Sequence, residues 1–369
     1  MMQPSHHNDH KVPFVRITKR GAVTQREAWV VRVTALVLAL LTCAILILLL
    51  GHNPIAVYSE MIDSAFGTRT GFNATIRLAI PLLGGALAIG LAFKMKFWNI
   101  GTEGQILIGG ICATYFAVFH YQGMPPFVLL SIMGLAAITG GAVWGLIPAF
   151  FRAKWGTNET LFTLMLNYVA FGFVLYLQGG PWRRQGSDFP EIRMFDPVAR
   201  LPRLFGIHIG WVLILILTVL VYLYLTRSKQ GYQLTVVGQS ENTARYAGMN
   251  VGWVIMRTMM ISGAIAGFVG FMQVSGADFT LGETTAGGVG FTAITVAWLA
   301  QLNPIFMIIV SIFIATLQRG AIRIQTTFEI PATIATVLIG IILFFMLACE
   351  FFINYRLVFR NKKGVQTHG

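Results

Sequence analysis

The stretch VVRVTALVLALLTCAILILLL, residues 30–50, contains a single charged side chain, that of Arg32. Its length matches the roughly 20 apolar residues that a helix needs to cross the hydrocarbon core of a bilayer. Further apolar runs follow near residues 76–93, 98–120, 127–149, 160–178, 210–226, 253–275, 288–301, 304–322 and 331–353. The sequence therefore predicts an all-α polytopic integral membrane protein with about ten transmembrane helices.

The eighth run, residues 288–301, is too short to cross a hydrocarbon core of about 30 Å. Four glycines lead into it, namely Gly282, Gly287, Gly288 and Gly290. A short apolar stretch interrupted by glycine indicates a re-entrant or discontinuous helix. Lys94 and Lys96 interrupt an otherwise apolar stretch in a similar way, between the second and third runs.

The composition excludes most classes of soluble protein. Of the 369 residues, 56% are hydrophobic and only 11% are charged, against roughly 25% charged in a soluble globular domain. The formal net charge is +13, but the Lys and Arg residues are spread between apolar runs. Charge in such positions orients a membrane protein and contacts anionic headgroups. A soluble enzyme is therefore excluded, no nucleic-acid partner is expected, and the lipid bilayer is the predicted surrounding.

The charge of the loops predicts how the chain is oriented. With the amino terminus in the cytoplasm, the inner segments hold 18 of the 27 Lys and Arg residues and the outer segments hold 9. Positive residues favour the cytoplasmic side, so we expect both termini there. The predicted organisation is a polar tail at 1–28, a transmembrane domain at 29–355 and a basic tail at 356–369. The outer loop at 179–209 is an exception, because it carries five arginines.

The polar loop at 227–252, on the predicted cytoplasmic side, contains signals for a short helix. Ser240 can accept from unpaired backbone N–H groups at a helix start, and Gly248 is suited to the position just after a helix end. A helix of about two turns is not stable alone. We therefore expect this helix to dock on another surface.

Sequence signatures of catalysis are missing. The chain has no GxxxxGK[ST] loop for a nucleotide, no HExxH zinc motif and no GxSxG elbow. Its seven histidines are scattered. We therefore predict no catalytic residues, no metal site and no cofactor bound by this chain.

The segment WNIGTEGQILIGG, residues 98–110, is the densest polar insertion in an apolar run. Ionisable residues at membrane depth are functional candidates, so one interpretation is the wall of a translocation path. The other is a capped helix start, in which the helix dipole stabilises the carboxylate. Together with two polar residues in later runs, the candidate path residues are Asn99, Thr102, Glu103, Gln105, Asn167 and Thr292.

Glycine pairs predict close helix packing elsewhere. Gly141 with Gly145, and Gly263 with Gly267, form GxxxG patterns, which let two helix backbones approach each other in a membrane.

Four segments in order resemble one family. They are FWNIGTEGQILIGG at 97–110, ETLFTLMLNYVA at 159–170, GYQLTVVGQSENTARYAGMNV at 231–251 and GVGFTAITVAWLAQLNP at 288–304. They resemble permease subunits of ABC importers, in the branch of the ribose and branched-chain amino-acid permeases. The NIGTEGQ segment is most similar to the nucleoside-type permeases. The resemblance covers residues 75–355.

The resemblance implies partners and a docking site. The family's coupling helix, which sits in a groove of a cytoplasmic ATPase, falls on Ser240, Glu241, Asn242, Thr243, Ala244, Arg245, Tyr246 and Gly248. ATP and Mg would be bound by that ATPase, which is a tandem double domain in related systems. A second homologous permease and a periplasmic or lipoprotein substrate-binding protein are also implied, in a bacterial inner membrane. The long amino-terminal tail indicates the larger of two permeases.

The expected function is ATP-driven import of a small neutral polar solute, and a nucleoside is the main expectation. A sugar, riboflavin or an amino acid is an alternative solute within the same family. An ion-gradient-driven secondary transporter is an alternative of another class. It would need ion-binding carboxylates and no docking helix, so the sparse acids and the helix at 240–248 argue against it. A membrane-embedded enzyme would need a catalytic constellation, and the sequence shows none.

Overall fold

The computed structural model describes residues 15–19 and 24–359. Its elements, in chain order, are strand β1 (Val15–Lys19), helices α1 (Gln25–Leu49), α2 (Pro54–Phe66), α3 (Arg69–Lys94), α4 (Thr102–Phe119), α5 (Pro126–Trp155) and α6 (Glu159–Gly179), strands β2 (Arg203–Leu204) and β3 (Ile207–His208), helices α7 (Gly210–Arg227), α8 (Lys229–Gln239), α9 (Glu241–Tyr246), α10 (Val251–Met272), α11 (Val289–Leu299), α12 (Pro304–Thr327) and α13 (Ala332–Asn354), and strand β4 (Tyr355–Phe359). A π-helical turn at Gln273–Asp278 extends α10.

The helices confirm the predicted membrane architecture. Within the described ranges, nine helices are long and apolar enough to cross a membrane, and α11 is a shorter apolar helix. With 11 residues, α11 is about 16 Å long, which is half of the hydrocarbon core. The predicted short eighth run is therefore a half-length helix.

The predicted terminal tails are described only in part. Residues 1–14, 20–23 and 360–369 lie outside the described ranges. α1 begins at Gln25, inside the segment expected to be a polar tail, and short strands occupy 15–19 and 355–359. The boundaries at 28 and 355 stay predictions.

Two helices were not predicted. α2 buries Val57, Met61 and Ala65, which recur every four residues along one stripe, a helical period that the sequence does contain. α8 lies inside the loop expected to be polar and irregular, where the Ser228 hydroxyl caps it by accepting from the N–H of Gly231. A search for apolar runs misses both, because neither helix is apolar all round.

The chain divides into two compact units, one made of the residues up to Gly51 and from Val337 onward, the other of His52–Thr336. In the first unit β1 and β4 pair antiparallel, with Val15 opposite Phe359. The Cys43 thiol of α1 donates a hydrogen bond to the carbonyl of Leu338 in α13. The segments at the two ends of the described chain therefore lie side by side.

The core of the second unit is built on close backbone contacts. A Cβ added at Gly263 of α10 would lie 2.2 Å from the carbonyl oxygen of Gly141 in α5, and one at Gly267 would lie 2.1 Å from that of Ala137. These glycines thus let α5 and α10 pack backbone to backbone, as the GxxxG patterns predict. α3 is the most buried of the long helices and packs against α10, α11 and α12.

Candidate functional site

Two helix amino termini meet at the side chain of Glu103. α4 begins at Thr102 and α11 begins at Val289. One carboxylate oxygen of Glu103 accepts a hydrogen bond from the N–H of Gly288 at 2.7 Å, and the other accepts one from Gly290 at 2.6 Å. We call this pair of bonds the Glu103 clamp. It joins residues 185 and 187 positions apart, and neither interpretation of Glu103 from the sequence included it.

Glycine makes the clamp sterically possible. Gly287 and Gly288 have φ angles of 54° and 79°, a region that favours glycine. A Cβ on Gly290 would lie 2.4 Å from the backbone nitrogen of Glu103. The glycines expected to break the helix therefore also allow the start of α11 to approach α4.

The clamp places a negative charge between two helix amino termini. Each such end carries about half a positive charge and N–H groups with no partner inside the helix. The carboxylate of Glu103 pairs with two such groups of the α11 end while lying in the first turn of α4. Its charge therefore offsets the positive ends of both helices.

The non-helical break between α3 and α4 is held by a buried amide pair. Asn99 and Gln105 have exposed fractions of 0% and 1%. Their side-chain amides bond each other at 3.3 and 3.4 Å, and the Asn99 amide also donates to the Ser262 hydroxyl at 3.3 Å. Ser262 in turn donates to the carbonyl of Ala88. This pair therefore ties the break to α3 and α10, and neither side chain is open to solvent.

Asn167 ties α6 to the same break. Its side-chain oxygen accepts from the N–H of Gly104 at 2.8 Å, and its nitrogen donates to the carbonyl of Ile100 at 2.9 Å. One turn earlier on α6, the Thr163 hydroxyl accepts from the N–H of Ile100. Asn167 therefore completes the backbone bonding that the break leaves open.

The two candidate threonines lie on either side of the clamp. Thr102 is fully buried at the start of α4, and its hydroxyl has no hydrogen-bond partner among the described residues. Thr292 is half-buried one turn into α11 and donates to the carbonyl of Gly288. The structure thus brings all six candidate path residues to one region around the start of α4, which packs against both α6 and α11. Whether they line a path stays a prediction.

An aromatic cluster at this site was not predicted. The rings of Phe93, Trp98 and Trp298 lie with centroids 5.2 to 5.9 Å apart. Trp98 is 46% exposed and Trp298 is 39% exposed. The sequence shows that these residues are aromatic, but only packing brings the end of α11 to the break after α3.

The predicted short helix in the polar loop is α9. The Ser240 hydroxyl caps it by accepting from the N–H of Thr243, and Gly248 follows its end with a φ of 76°. Of the six residues of α9, all of which the structure describes, Ala244 alone is fully buried, while Tyr246 is 94% exposed. Asn242 and Arg245 are also exposed. The predicted cap is confirmed, and the outer face of α9 is uncovered in the isolated chain.

Arg152 connects α9 to two membrane helices. Its guanidinium lies 3.5 Å from the carboxylate of Glu159, at the start of α6, and 3.7 Å from that of Glu241 in α9. Glu241 also lies 3.9 Å from Arg245. Arg152 itself is in the last turn of α5. This bridge was not predicted, because it depends on three segments that are separate in sequence.

The segment before α7 buries one histidine. His208 in β3 is 3% exposed, and a Cβ at Gly276 would lie 2.6 Å from its ring nitrogen. Burial first, and then the charges of Arg77 and Arg203, lower the pKa of His208 from 6.5 to about 4. Its imidazole is therefore neutral at physiological pH.

The described residues contain no group of three or more His, Cys, Asp or Glu side chains that could hold a metal ion. Their chemistry is one of capped helix ends, amide pairs and one short salt-bridged helix, α9. Nine membrane-length helices and one half-length helix, counted over the described residues, are those of a multi-pass membrane protein, and discontinuous helices of this kind are typical of transporters.

Comparison with known proteins identifies the family. Residues 72–347 match the branched-chain amino acid transport system permease component family, and the chain belongs to that family. It is therefore the permease subunit of an ABC transporter and not itself an enzyme. Membership implies an ATPase and a substrate-binding protein as partners.

Three relatives cover nearly the whole chain. The chain is 30% identical to a glucose ABC transporter permease of Haloferax volcanii, over 93% of each chain. It is 28% identical to a guanosine ABC transporter permease of Bacillus subtilis, over 89% of this chain and 96% of the relative. It is 27% identical to a nucleoside ABC transporter permease of Lactococcus lactis, over 88% of this chain and 91% of the relative.

Proposed function

We propose that this permease imports a nucleoside, driven by ATP hydrolysis in a partner that docks on α9. The observation that carries the proposal is the exposure of α9, since six residues with one buried side chain cannot stabilise a helix alone. Tyr246 extends from it, 94% exposed, as an aromatic anchor does at a protein interface. The coupling residues are then Ser240, Glu241, Asn242, Thr243, Ala244, Arg245, Tyr246 and Gly248.

The Glu103 clamp favours an uncharged solute. Open amino termini of half-length helices attract anionic groups in transporters, but here a carboxylate of the chain already occupies these ends. A phosphate or carboxylate on the solute would be repelled by Glu103. The exposed rings of Trp98 and Trp298 offer faces on which a base can stack. Both features suit a nucleoside.

We propose that Glu103 and Thr292 face the path, because both side chains are only partly buried. Asn99, Gln105 and Asn167 would support the path from behind, since their amides are used within the chain. Thr102 would take the same supporting role. This divides the six candidate residues by exposure.

We further propose the topology and partners of the assembled importer. Both termini lie in the cytoplasm, consistent with the pairing of β1 with β4, and residues 29–355 form the permease domain of a bacterial inner-membrane protein. The ATPase is a tandem double domain, a second homologous permease completes the path, and the binding protein docks near 179–209 and 275–290. The arginines of the first of these loops suit an acidic partner surface.

Movement of α9 can reach the centre of the membrane through contacts that the chain provides. Arg152 links α9 to the start of α6. Asn167 links α6 to the break at 99–104, and Glu103 links that break to α11. Coupling through a chain of packed and hydrogen-bonded groups is physically reasonable. We propose that ATP-driven movement of α9 shifts α11 by this route.

The first experiment measures uptake by proteoliposomes that contain the permease and its partners. Guanosine, uridine, glucose and riboflavin are offered with ATP, and then without ATP under an ion gradient. We expect ATP-dependent uptake of the nucleosides. Uptake of glucose alone would favour the second candidate function, for which the glucose permease of Haloferax volcanii is the reason. Uptake without ATP would overturn the ABC mechanism.

The coupling route is tested with Arg152→Gln. We expect ATP hydrolysis to continue while solute uptake falls, because the bridge between α9 and α6 is removed. Lys154→Gln is the matched control, since Lys154 lies in the same last turn of α5 and its ammonium faces the rings of Phe150 and Trp155. Equal effects of the two substitutions would contradict the route.

A further inference from the structure

A basic pocket opens where α7 ends and α10 begins. It has a cavity volume of about 840 Å³, and among its lining residues are Arg227, Lys229 and Arg257. α8 forms a third wall through Tyr232 and Gln233. None of the lining residues is acidic, so the pocket carries a formal charge of +3 from its side chains.

The part of the chain that the structure describes does not neutralise these three cations. The described residues form no ion pair between a carboxylate and any of the three, and the Arg257 guanidinium donates to the neutral side-chain amide of Gln233 at 3.2 Å. The Nε of Arg257 is buried without a hydrogen-bond partner among the described residues. Arginine at membrane depth is costly unless something pairs with it. The three cations are therefore available to pair with an anion from outside the chain.

The position of the pocket is that of lipid headgroups. Arg227 is the last residue of α7, and Arg257 lies six residues into α10, which is about 9 Å along the helix. The cations thus extend from the end of one apolar helix to the first turns of another. Trp253 and Tyr232, which line the pocket and are 55% and 66% exposed, are the residue types enriched at this level of a membrane.

An apolar track leads away from the pocket along α7. Ile216, Leu220 and Leu223 are exposed, and with Arg227 they recur at spacings of four, three and four residues, which is one face of a helix. A free phosphate would use only the cations, whereas a phospholipid would use the cations and this track together. The track therefore favours a lipid as the source of the anion.

We propose that this basic pocket binds the phosphate headgroup of an anionic phospholipid, with Arg227, Lys229 and Arg257 as its cations and the α7 track as the seat of an acyl chain. The bound lipid would also hold α7, α8 and α10 together beside α9.

The test is native mass spectrometry of the permease purified with its partners. Phosphatidylglycerol and phosphatidylcholine with identical acyl chains are added in equal amounts. We expect phosphatidylglycerol to be bound in preference, and the preference to fall about fivefold for each cation replaced by Gln. Lys154→Gln, which removes a charge outside the pocket, should leave the preference unchanged.

Further variants of the three cations, and competition with inorganic phosphate, test whether the pocket binds a lipid. Arg257→Lys retains the charge and should retain the preference, and the exposed Arg227 and Lys229 can be replaced singly if an Arg257 variant does not fold. Inorganic phosphate should not displace the lipid; displacement by phosphate alone would assign the pocket to a free anion and overturn the proposal. Equal binding of the two lipids, or an unchanged preference in both Arg227→Gln and Lys229→Gln, would also overturn it.

Discussion

Replacement of Glu103 by Gln changes one atom and should release the start of α11. The carboxylate accepts two short hydrogen bonds, from Gly288 at 2.7 Å and Gly290 at 2.6 Å. A glutamine side chain has one oxygen, so one bond is lost and the other becomes a bond to a neutral group. Hydrogen bonds to a charged group contribute about 1.5–3 kcal/mol each, and neutral ones about 1 kcal/mol. The clamp should therefore weaken by about 3 kcal/mol, which is roughly a hundredfold in the population of the released state.

Hydrogen–deuterium exchange of the peptide around Gly288 and Gly290 measures this release directly. We expect protection of these amides to fall by about a hundredfold in Glu103→Gln, with a parallel fall in solute uptake. Glu103→Asp should behave similarly, because its shorter side chain cannot reach both amides. Glu283→Gln is the control, since Glu283 is an exposed acid just before the same helix. Wild-type protection in a folded Glu103→Gln protein would refute the clamp as the element that fixes α11.

Three further predictions concern packing, coupling and pH. Gly263→Ala should lower the melting temperature in detergent, because its Cβ would lie 2.2 Å from the Gly141 carbonyl oxygen and overpacking costs about 1–3 kcal/mol; Gly172→Ala, with nothing within 4 Å, should not. Arg245→Glu should leave membrane insertion intact but abolish ATP-driven uptake, because it reverses the charge of a 67% exposed side chain on the face proposed to dock on the ATPase and so removes charge complementarity at that interface; normal uptake by a well-expressed variant would exclude Arg245 from coupling. His208 has a folded-state pKa of about 4 against 6.5, so below pH 6.5 the unfolded chain binds the proton more readily, and stability should fall by up to about 3 kcal/mol as the pH drops towards 4. Thermal unfolding of His208→Gln across this range should show a flatter pH dependence than the wild type, and an equal dependence would contradict the assignment.

The apolar helices were predictable because transfer of a side chain into a bilayer depends mostly on that side chain. Ten runs were expected, and nine long helices and the short α11 are found within the described residues. The helices α2 and α8 were missed for the same reason, since amphipathic segments have little net preference for the bilayer. The stripe of Val57, Met61 and Ala65 is a signal that a search for helical periodicity can find.

The candidate site was predictable by residue but not by contact. The polar segment at 98–110 was identified, and Asn99, Glu103 and Gln105 do lie together. Their partners could not be predicted: Asn99 bonds Ser262, and Glu103 bonds Gly288, at separations of 163 and 185 residues. No local pattern specifies which distant backbone N–H a carboxylate will meet. The basic pocket is equally invisible in the sequence, because its cations come from α7, α8 and α10.

The sequence by itself determined the class of protein, the number of apolar helices, the short helix capped by Ser240 and the family. The class, the apolar helices and the capped helix depend on free energies that act within a few residues, such as apolar transfer, helix capping and glycine flexibility, whereas the family followed from the resemblance of four segments. Tertiary structure alone decided that Glu103 clamps α11, that Arg152 bridges α6 and α9, and that three cations share one pocket. These features arise where packed helices bring distant residues together, so they depend on the geometry of the whole bundle rather than on any one segment.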